Sequence, residues 1–161
     1  EALALTKDDI DFDTSEISVS KALCFDGNNA YIKEPKSQSG YRRVPILEFL
    51  KEFLRAYMQV SGYDIITKQD GSIITESSYV KMWKSIHSKI DNFLGFGTSK
   101  NLTAHSFRHT YCTRLCYQIP LISTKMIAKL LGDDEKMVID VYSHILEENE
   151  DCQSAIANIF D

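Results

Sequence analysis

The chain has 161 residues, of which 43% are hydrophobic, with only three prolines and seven glycines, and its formal net charge is −5. This size and composition are those of one globular, helix-rich domain and exclude a disordered chain, and no apolar run approaches a membrane span. The four cysteines lack the spacing of a disulfide framework and no charged-then-apolar leader opens the chain, so we expect a cytoplasmic protein.

Three short strands are predicted in the first third of the chain, at Ile17–Val19, Ala30–Ile32 and Tyr41–Val44. Turn-forming residues separate them, at Asp26–Asn29 and at Lys36–Gly40, and Pro45 ends the third strand. We expect the three strands to form one small antiparallel sheet. Residues 1–5 are predicted to be the end of a helix.

Five helices are predicted, at 46–57, 77–93, 105–117, 122–131 and 134–142, and the first two of them show apolar stripes of helical period. The polar segment Gln69–Ser72 is a loop or hairpin turn before the second helix, and Gly132 separates the last two. An acidic tail follows at residues 147–160. The predicted fold class is therefore α+β and mainly α-helical, a helical domain that carries one small three-stranded antiparallel sheet.

The charged residues are distributed unevenly. Residues 1–16 carry six acidic and one basic side chain, and residues 133–161 carry nine acidic and one basic, so the stretch between them has 16 basic against 8 acidic residues. A net charge of −5 argues against DNA binding, but the basic stretch between the acidic ends can bind a phosphate backbone. Lysines on solvated helix faces would explain much of the same count.

The most informative segment is His105-Ser-Phe-Arg108-His109-Thr110. Its histidine and arginine lie three residues apart on a predicted helix, so both side chains can point at one anion. Leu130-Leu-Gly132 follows, and Tyr142, 34 residues after Arg108, supplies a nucleophile. Taken singly, each of these residues has a structural explanation. Most of the eight tyrosines, including Tyr111 and Tyr117, are expected to pack in the interior.

The order and spacing of these segments resemble the catalytic domain of tyrosine recombinases, the phage integrase family. The resemblance implies cutting and rejoining of DNA through a phosphotyrosyl link. Tyr142 would attack the phosphorus, Arg108 would hold two phosphoryl oxygens with its planar fork, and His105 would donate to the phosphate or accept the nucleophile's proton. The phosphotyrosyl ester retains the bond energy, so no metal and no cofactor are expected.

The segment from Glu34 to Ile46 is similar to the family's lysine hairpin. Lys36 takes the place of the lysine that acts there as general acid toward the leaving 5′ oxygen. By itself Lys36 is an exposed turn lysine, and only the following Arg-Arg-Val-Pro-Ile context supports the catalytic role. Arg42 and Arg43 of that context are expected to bind DNA.

The start of the chain is similar to the family segment E-x-L-x-L-x-x-x-D-I. In the family this glutamate closes an R-x-x-E motif whose arginine contacts the scissile phosphate, and here that arginine would lie three residues before Glu1. The resemblance covers essentially all residues 1–161. We therefore expect one recombinase catalytic domain, truncated at its N-terminus and inactive by itself.

His105, His109, Cys112 and Cys116 form one helical stripe that could be interpreted as a metal site. Four ligands spread over three turns of one straight helix cannot close a tetrahedron around zinc. Small, partly buried cysteines on the core face explain the stripe better, and no metal is predicted.

The sequence departs from the family pattern at Asp133. Most members place a histidine directly after the Leu-Gly pair, where it hydrogen-bonds the phosphate. A carboxylate about 4 Å from the phosphate would cost roughly 4 kcal/mol at an effective dielectric constant near 20. Asp133 therefore points away, is paired with a cation, or marks a slow or degenerate enzyme. It remains among the candidate catalytic residues.

These observations predict a site-specific recombinase of a mobile genetic element, of phage or transposon type. The first alternative is a catalytically weak or inactive DNA-binding relative, and the second is a helical interaction module with no role on DNA. The expected partners are double-stranded DNA and other protomers of the same recombinase, in the tetrameric synapse that the family implies, with no membrane. The target site, integration or excision, and packing of the acidic tail within or between protomers stay open.

Overall fold

In the computed structural model, which describes residues 1–149, the chain divides after Leu102 into a first unit and a second unit. The first unit comprises residues 1–102, and the second begins at Thr103. The first unit has two buried hydrophobic clusters, and the described part of the second unit has one. The assignment of residues 1–161 to one catalytic domain stays a prediction.

The first unit carries two small antiparallel sheets. Its strands are β1 Ile10–Asp11, β2 Glu16–Val19, β3 Ala22–Asp26, β4 Asn29–Lys33 and β5 Arg42–Pro45. β1, β2 and β5 form a three-stranded sheet in that order, with Ile17 opposite Val44. β3 and β4 form a separate two-stranded hairpin, with Cys24 opposite Tyr31.

The predicted strand Ala30–Ile32 exists but does not belong to the three-stranded sheet. It lies in β4 and pairs with β3, which was not predicted as a strand. Gly27, with a φ of 54°, and Asn28 form a two-residue turn between these strands. Such a turn makes the residues on either side pair with each other. The third member of the larger sheet is β1, and residues 1–5 contain a short 3-10 turn at Ala2–Ala4 in place of the expected helix end.

Two helices complete the first unit, α1 Glu48–Val60 and α2 Glu76–Leu94. The inner face of α1 packs Leu50, Leu54 and Met58 against the three-stranded sheet and its neighbours. At the end of α1 the Lys7 ammonium donates to the carbonyls of Met58 at 2.6 Å and Ser61 at 2.9 Å. A cation at a helix C-terminus also offsets the helix dipole, so Lys7 stabilises the end of α1.

The described part of the second unit contains the three helices α3 Ala104–Cys116, α4 Thr124–Leu131 and α5 Glu135–Asn149. Their buried side chains form one core: Cys112, Cys116, Ile127, Ala128, Leu131, Val138 and Ile145. Gly132 ends α4 in the left-handed conformation with a φ of 69°, as the sequence predicts. α5 continues past the predicted end, and residues 150–160 of the acidic tail lie outside the described residues. Within residues 1–149 no helix has the length and apolar character to cross a membrane.

Replacement of Ile127 by alanine is expected to lower the free energy of unfolding by about 2–5 kcal/mol, because the side chain is fully buried and leaves a cavity. Chemical denaturation monitored by circular dichroism measures the change. Met126→Ala is the matched control, since this neighbouring side chain on α4 is 46% exposed. Equal losses for the two variants would contradict the packing of α4 described here.

Candidate active site

A reciprocal cap fixes the start of α3. Thr103 Oγ1 accepts a hydrogen bond from the Ser106 backbone N–H at 3.2 Å, and Ser106 Oγ accepts one from the Thr103 backbone N–H at 3.1 Å. This cap places His105 in the first turn and Arg108 in the second. Residues three apart are neighbours on a helix surface, so these two side chains leave α3 on adjoining positions, as predicted.

Arg108 forms an ion pair with Asp133, the residue directly after the glycine that ends α4. Arg108 Nη2 donates to Asp133 Oδ2 at 2.8 Å, and the two side chains are 28% and 41% exposed. Of the three arrangements expected for Asp133, the structure therefore has the one in which a cation pairs with it. That cation is the arginine predicted to bind the phosphate.

Tyr142 lies on α5, half-buried against the core of the second unit. Cys112, one turn after Arg108, and Val138, one turn before Tyr142, are both buried in that core. The same hydrophobic cluster therefore holds the helix of the arginine and the helix of the tyrosine.

The expectation that Tyr111 and Tyr117 pack in the interior is wrong. Their side chains are 42% and 58% exposed. The buried positions of α3 are Cys112 and Cys116, and both tyrosines lie outside that narrow stripe. The second unit thus has two surface tyrosines in addition to the half-buried Tyr142.

The histidine and cysteine stripe of α3 divides into an exposed half and a buried half. The rings of His105 and His109 are exposed and meet edge to face, with their centroids 4.4 Å apart. Burial raises the pKa of the Cys112 thiol and raises that of Cys116 to about 11, so both stay protonated at neutral pH. Among residues 1–149 no group of three or more histidine, cysteine or acidic side chains comes together as a metal site. The cysteines are core residues, as expected.

Lys36 is exposed in the loop between β4 and β5. Pro35 and Gly40 close this loop by direct contact, because a side chain on Gly40 would overlap the Pro35 ring. Only glycine allows so close an approach. Lys36 therefore projects from a constrained loop in the first unit, whereas His105, Arg108, Asp133 and Tyr142 belong to the second unit.

The two arginines predicted to bind DNA have different environments. Arg42 donates from Nη1 and Nη2 to the two carboxylate oxygens of Glu1, at 3.0 and 2.7 Å, and its side chain is 8% exposed. Arg43 is 67% exposed and contacts Glu16 at 3.2 Å. Successive side chains of a strand point to opposite faces of the sheet. The adjacent positions of Arg42 and Arg43 therefore already indicate that only one of these two side chains points outward. The bidentate pair holds the Arg42 guanidinium at Glu1, and the binding of DNA by either arginine stays a prediction.

Comparison with known proteins identifies the family. The sequence model of the group described as the phage integrase family matches residues 1–149. The chain belongs to the phage integrase family. The resemblance found in the motifs is thereby confirmed, and the helices and small antiparallel sheets described above confirm the mainly helical fold class.

Two curated proteins illustrate which integrases are similar. The transposase from transposon Tn916 of Enterococcus faecalis is 25% identical over 153 residues, which cover 87% of this chain and 37% of that protein. The tyrosine recombinase XerS of Lactococcus lactis subsp. cremoris is 27% identical over 131 residues, which cover 76% of this chain and 35% of that protein. This integrase-family chain thus spans little more than a third of these relatives' length.

Solved structures of the Tn1549 transposon integrase share the fold. One, in complex with a circular intermediate DNA, has a TM-score of 0.79 and 25% identity and covers 99% of this chain and 52% of that chain. Another, in complex with transposon right end DNA, has a TM-score of 0.78 and 26% identity and covers 98% and 52%. The likeness extends over both units of this integrase-family chain.

Proposed function

We propose that this chain carries the chemistry of a site-specific recombinase that cuts DNA by attack of Tyr142 and rejoins it by reversal of that step. The observation that carries the proposal is the arrangement of the second unit, in which one hydrophobic core holds the helices of Arg108 and Tyr142. The family membership supports the same reaction.

The cleavage step is a transesterification at a DNA phosphodiester. The Tyr142 hydroxyl loses its proton, its oxygen bonds to phosphorus, and the bond from phosphorus to the 5′ oxygen breaks, leaving a 3′-phosphotyrosyl ester. Arg108 offers two parallel N–H donors to the equatorial oxygens, whose charge grows in the transition state. His105 donates to the same phosphate or accepts the tyrosine proton.

Lys36 is the proposed general acid, which gives a proton to the departing 5′ oxygen. A lysine at the tip of a loop suits this step because its ammonium can follow the leaving group. The contact between Pro35 and Gly40 fixes the backbone on both sides of residues 36–39, so the movement must come from the long Lys36 side chain.

The proposed partners are double-stranded DNA and further protomers of the same recombinase, and the proposed biological setting is a mobile element. The DNA-bound Tn1549 integrase structures and the similar transposon transposase support the DNA and the mobile element. The association of protomers on DNA follows from the family resemblance.

A catalytically inactive DNA-binding relative is the second candidate function. The contact between Arg108 and Asp133 favours it, because a carboxylate at the phosphate-binding arginine opposes an incoming phosphate. Such a protein would keep the fold and the DNA affinity but would not cut.

Covalent trapping distinguishes the two functions. The product of the complete gene is incubated with a duplex nicked close to its recombination site, so that the short cleaved strand diffuses away and the adduct accumulates. A protein–DNA band that resists denaturation supports the recombinase, and salt-sensitive binding without this band supports the inactive relative. Residues 1–161 tested alone are expected to bind weakly and not to cut.

DNA binding should weaken steeply with salt, and Arg43 should contribute to that dependence. Replacing Arg43 by alanine removes one exposed phosphate contact, so the slope of log K against log salt should fall by about 0.9. Fluorescence anisotropy at several salt concentrations measures the slope. Arg42→Ala is the neighbouring control: its guanidinium is held by Glu1, so the variant should lose folding stability and keep the slope. An unchanged slope in the Arg43 variant would exclude that arginine from the interface.

A further inference from the structure

We propose that Asp133 is a positioning residue, which holds one edge of the Arg108 guanidinium so that its other edge faces the scissile phosphate. The inference rests on the proposed function and adds a role that the family pattern does not supply, because most members have a histidine here. Asp133, the residue that departs from the family pattern, is then a functional part of the site.

The Asp133 carboxylate is itself anchored at the turn between α4 and α5. Its Oδ1 accepts a hydrogen bond from the Asp134 backbone N–H at 3.1 Å, while Oδ2 accepts from Arg108. The Asp133 backbone N–H donates to the Ala128 carbonyl at 3.1 Å and thereby closes the end of α4. Both the backbone and the carboxylate of Asp133 are therefore fixed before any ligand arrives.

The ion pair leaves part of the arginine available. Within residues 1–149, Asp133 engages Nη2 of Arg108, and neither Nε nor Nη1 has a hydrogen-bond partner. A guanidinium is planar and carries five N–H donors, so it can serve a carboxylate at one edge and a phosphate at another. A guanidinium held at one edge loses less rotamer freedom when the phosphate binds.

Asp133 has two opposing effects that substitutions can separate. Its oxygen positions Arg108, whereas its negative charge repels the phosphate. Asparagine keeps an oxygen acceptor for Nη2 and removes the charge, while alanine removes both. Positioning therefore predicts that Asp133→Ala cuts more slowly than the wild-type protein, and that Asp133→Asn cuts at least about as fast.

The test measures the rate of adduct formation by the complete gene product on the nicked duplex under single-turnover conditions. Asp133→Ala should be slower by about 10- to 100-fold, with DNA affinity kept within about threefold, and Asp133→Asn should stay within about threefold of wild type or exceed it. Asp134→Ala is the matched control. Asp134 accepts from the Met137 backbone N–H at the start of α5, so this variant loses a neighbouring carboxylate and a helix cap without touching Arg108.

A double-mutant cycle asks whether Asp133 acts through Arg108. The Arg108→Lys variant keeps the positive charge and loses the planar fork. Adding Asp133→Ala to this variant should therefore lower the rate of adduct formation by less than about threefold. A further roughly 10-fold fall in the rate of adduct formation when Asp133→Ala is added to Arg108→Lys would show a purely structural role and overturn the proposal. So would an Asp134→Ala variant that is as slow as Asp133→Ala. Wild-type speed in Asp133→Ala would also overturn it.

The outcome for the wild-type protein separates this inference from the function on which it rests. An adduct in the wild type that Asp133→Ala leaves unchanged overturns the role of Asp133 alone. A wild-type protein that binds the duplex and forms no adduct overturns the proposed recombinase reaction, and the positioning role falls with it.

Discussion

Replacing Tyr142 by phenylalanine should abolish the covalent protein–DNA adduct while DNA affinity stays within about twofold. Only the attacking oxygen is lost, and the ring that packs against the core of the second unit remains. Denaturing electrophoresis after incubation with the nicked duplex measures the adduct, and fluorescence anisotropy measures the affinity. The expected loss is the whole reaction, since no other group carries the covalent link.

Tyr111 and Tyr117 are the controls, because both belong to the same unit and their side chains are more exposed than that of the half-buried Tyr142. Tyr111→Phe and Tyr117→Phe should form the adduct at the wild-type rate. Peptide mapping of the trapped complex provides an independent readout. DNA attached to a peptide with Tyr111 or Tyr117 would refute the assignment of Tyr142, whichever variant had lost activity.

The helices of this protein could be predicted because their signals are local. Apolar stripes of helical period mark α1 and α2, Thr103 and Ser123 cap α3 and α4, and Gly132 adopts the left-handed conformation that ends α4. The three predicted strands lie within one residue of β2, β4 and β5 for the same reason, whereas β1 and β3 were not predicted. Their pairing was harder to predict, since the two-residue turn at Gly27 determines it and the segment before that turn was not recognised as a strand.

The contacts at the candidate site could be predicted only in part. The spacing of His105 and Arg108 follows from helix geometry alone. The pair between Arg42 and Glu1 joins residues 41 positions apart, and the pair between Arg108 and Asp133 joins residues 25 apart. No local pattern specifies which charges meet over such separations, because the tertiary fold decides it. For Asp133, the sequence allowed a side chain that points away, a pair with a cation, or a slow enzyme, and the structure shows the pair with Arg108.

Arg108→Ala should lower the rate of adduct formation by at least about 100- to 1,000-fold, the loss typical of removing a donor aimed at transition-state charge. The change removes the only proposed bidentate phosphate ligand in the second unit and leaves the Asp133 carboxylate without its cation. Single-turnover trapping on the nicked duplex measures the rate. Arg114→Ala is the control, since Arg114 is an exposed arginine on the same helix and should keep the wild-type rate.

The double variant Arg108→Ala with Asp133→Ala separates the loss of catalysis from the loss of binding. With Asp133 unpaired, its charge repels the phosphate, so Arg108→Ala alone should also bind DNA several-fold more weakly. Removing both side chains should restore that affinity and leave the cleavage rate low, because the fork that faces the phosphate is still missing. Recovery of cleavage together with binding would mean that Arg108 serves only to neutralise Asp133, and the proposed role of Arg108 in catalysis would then be wrong.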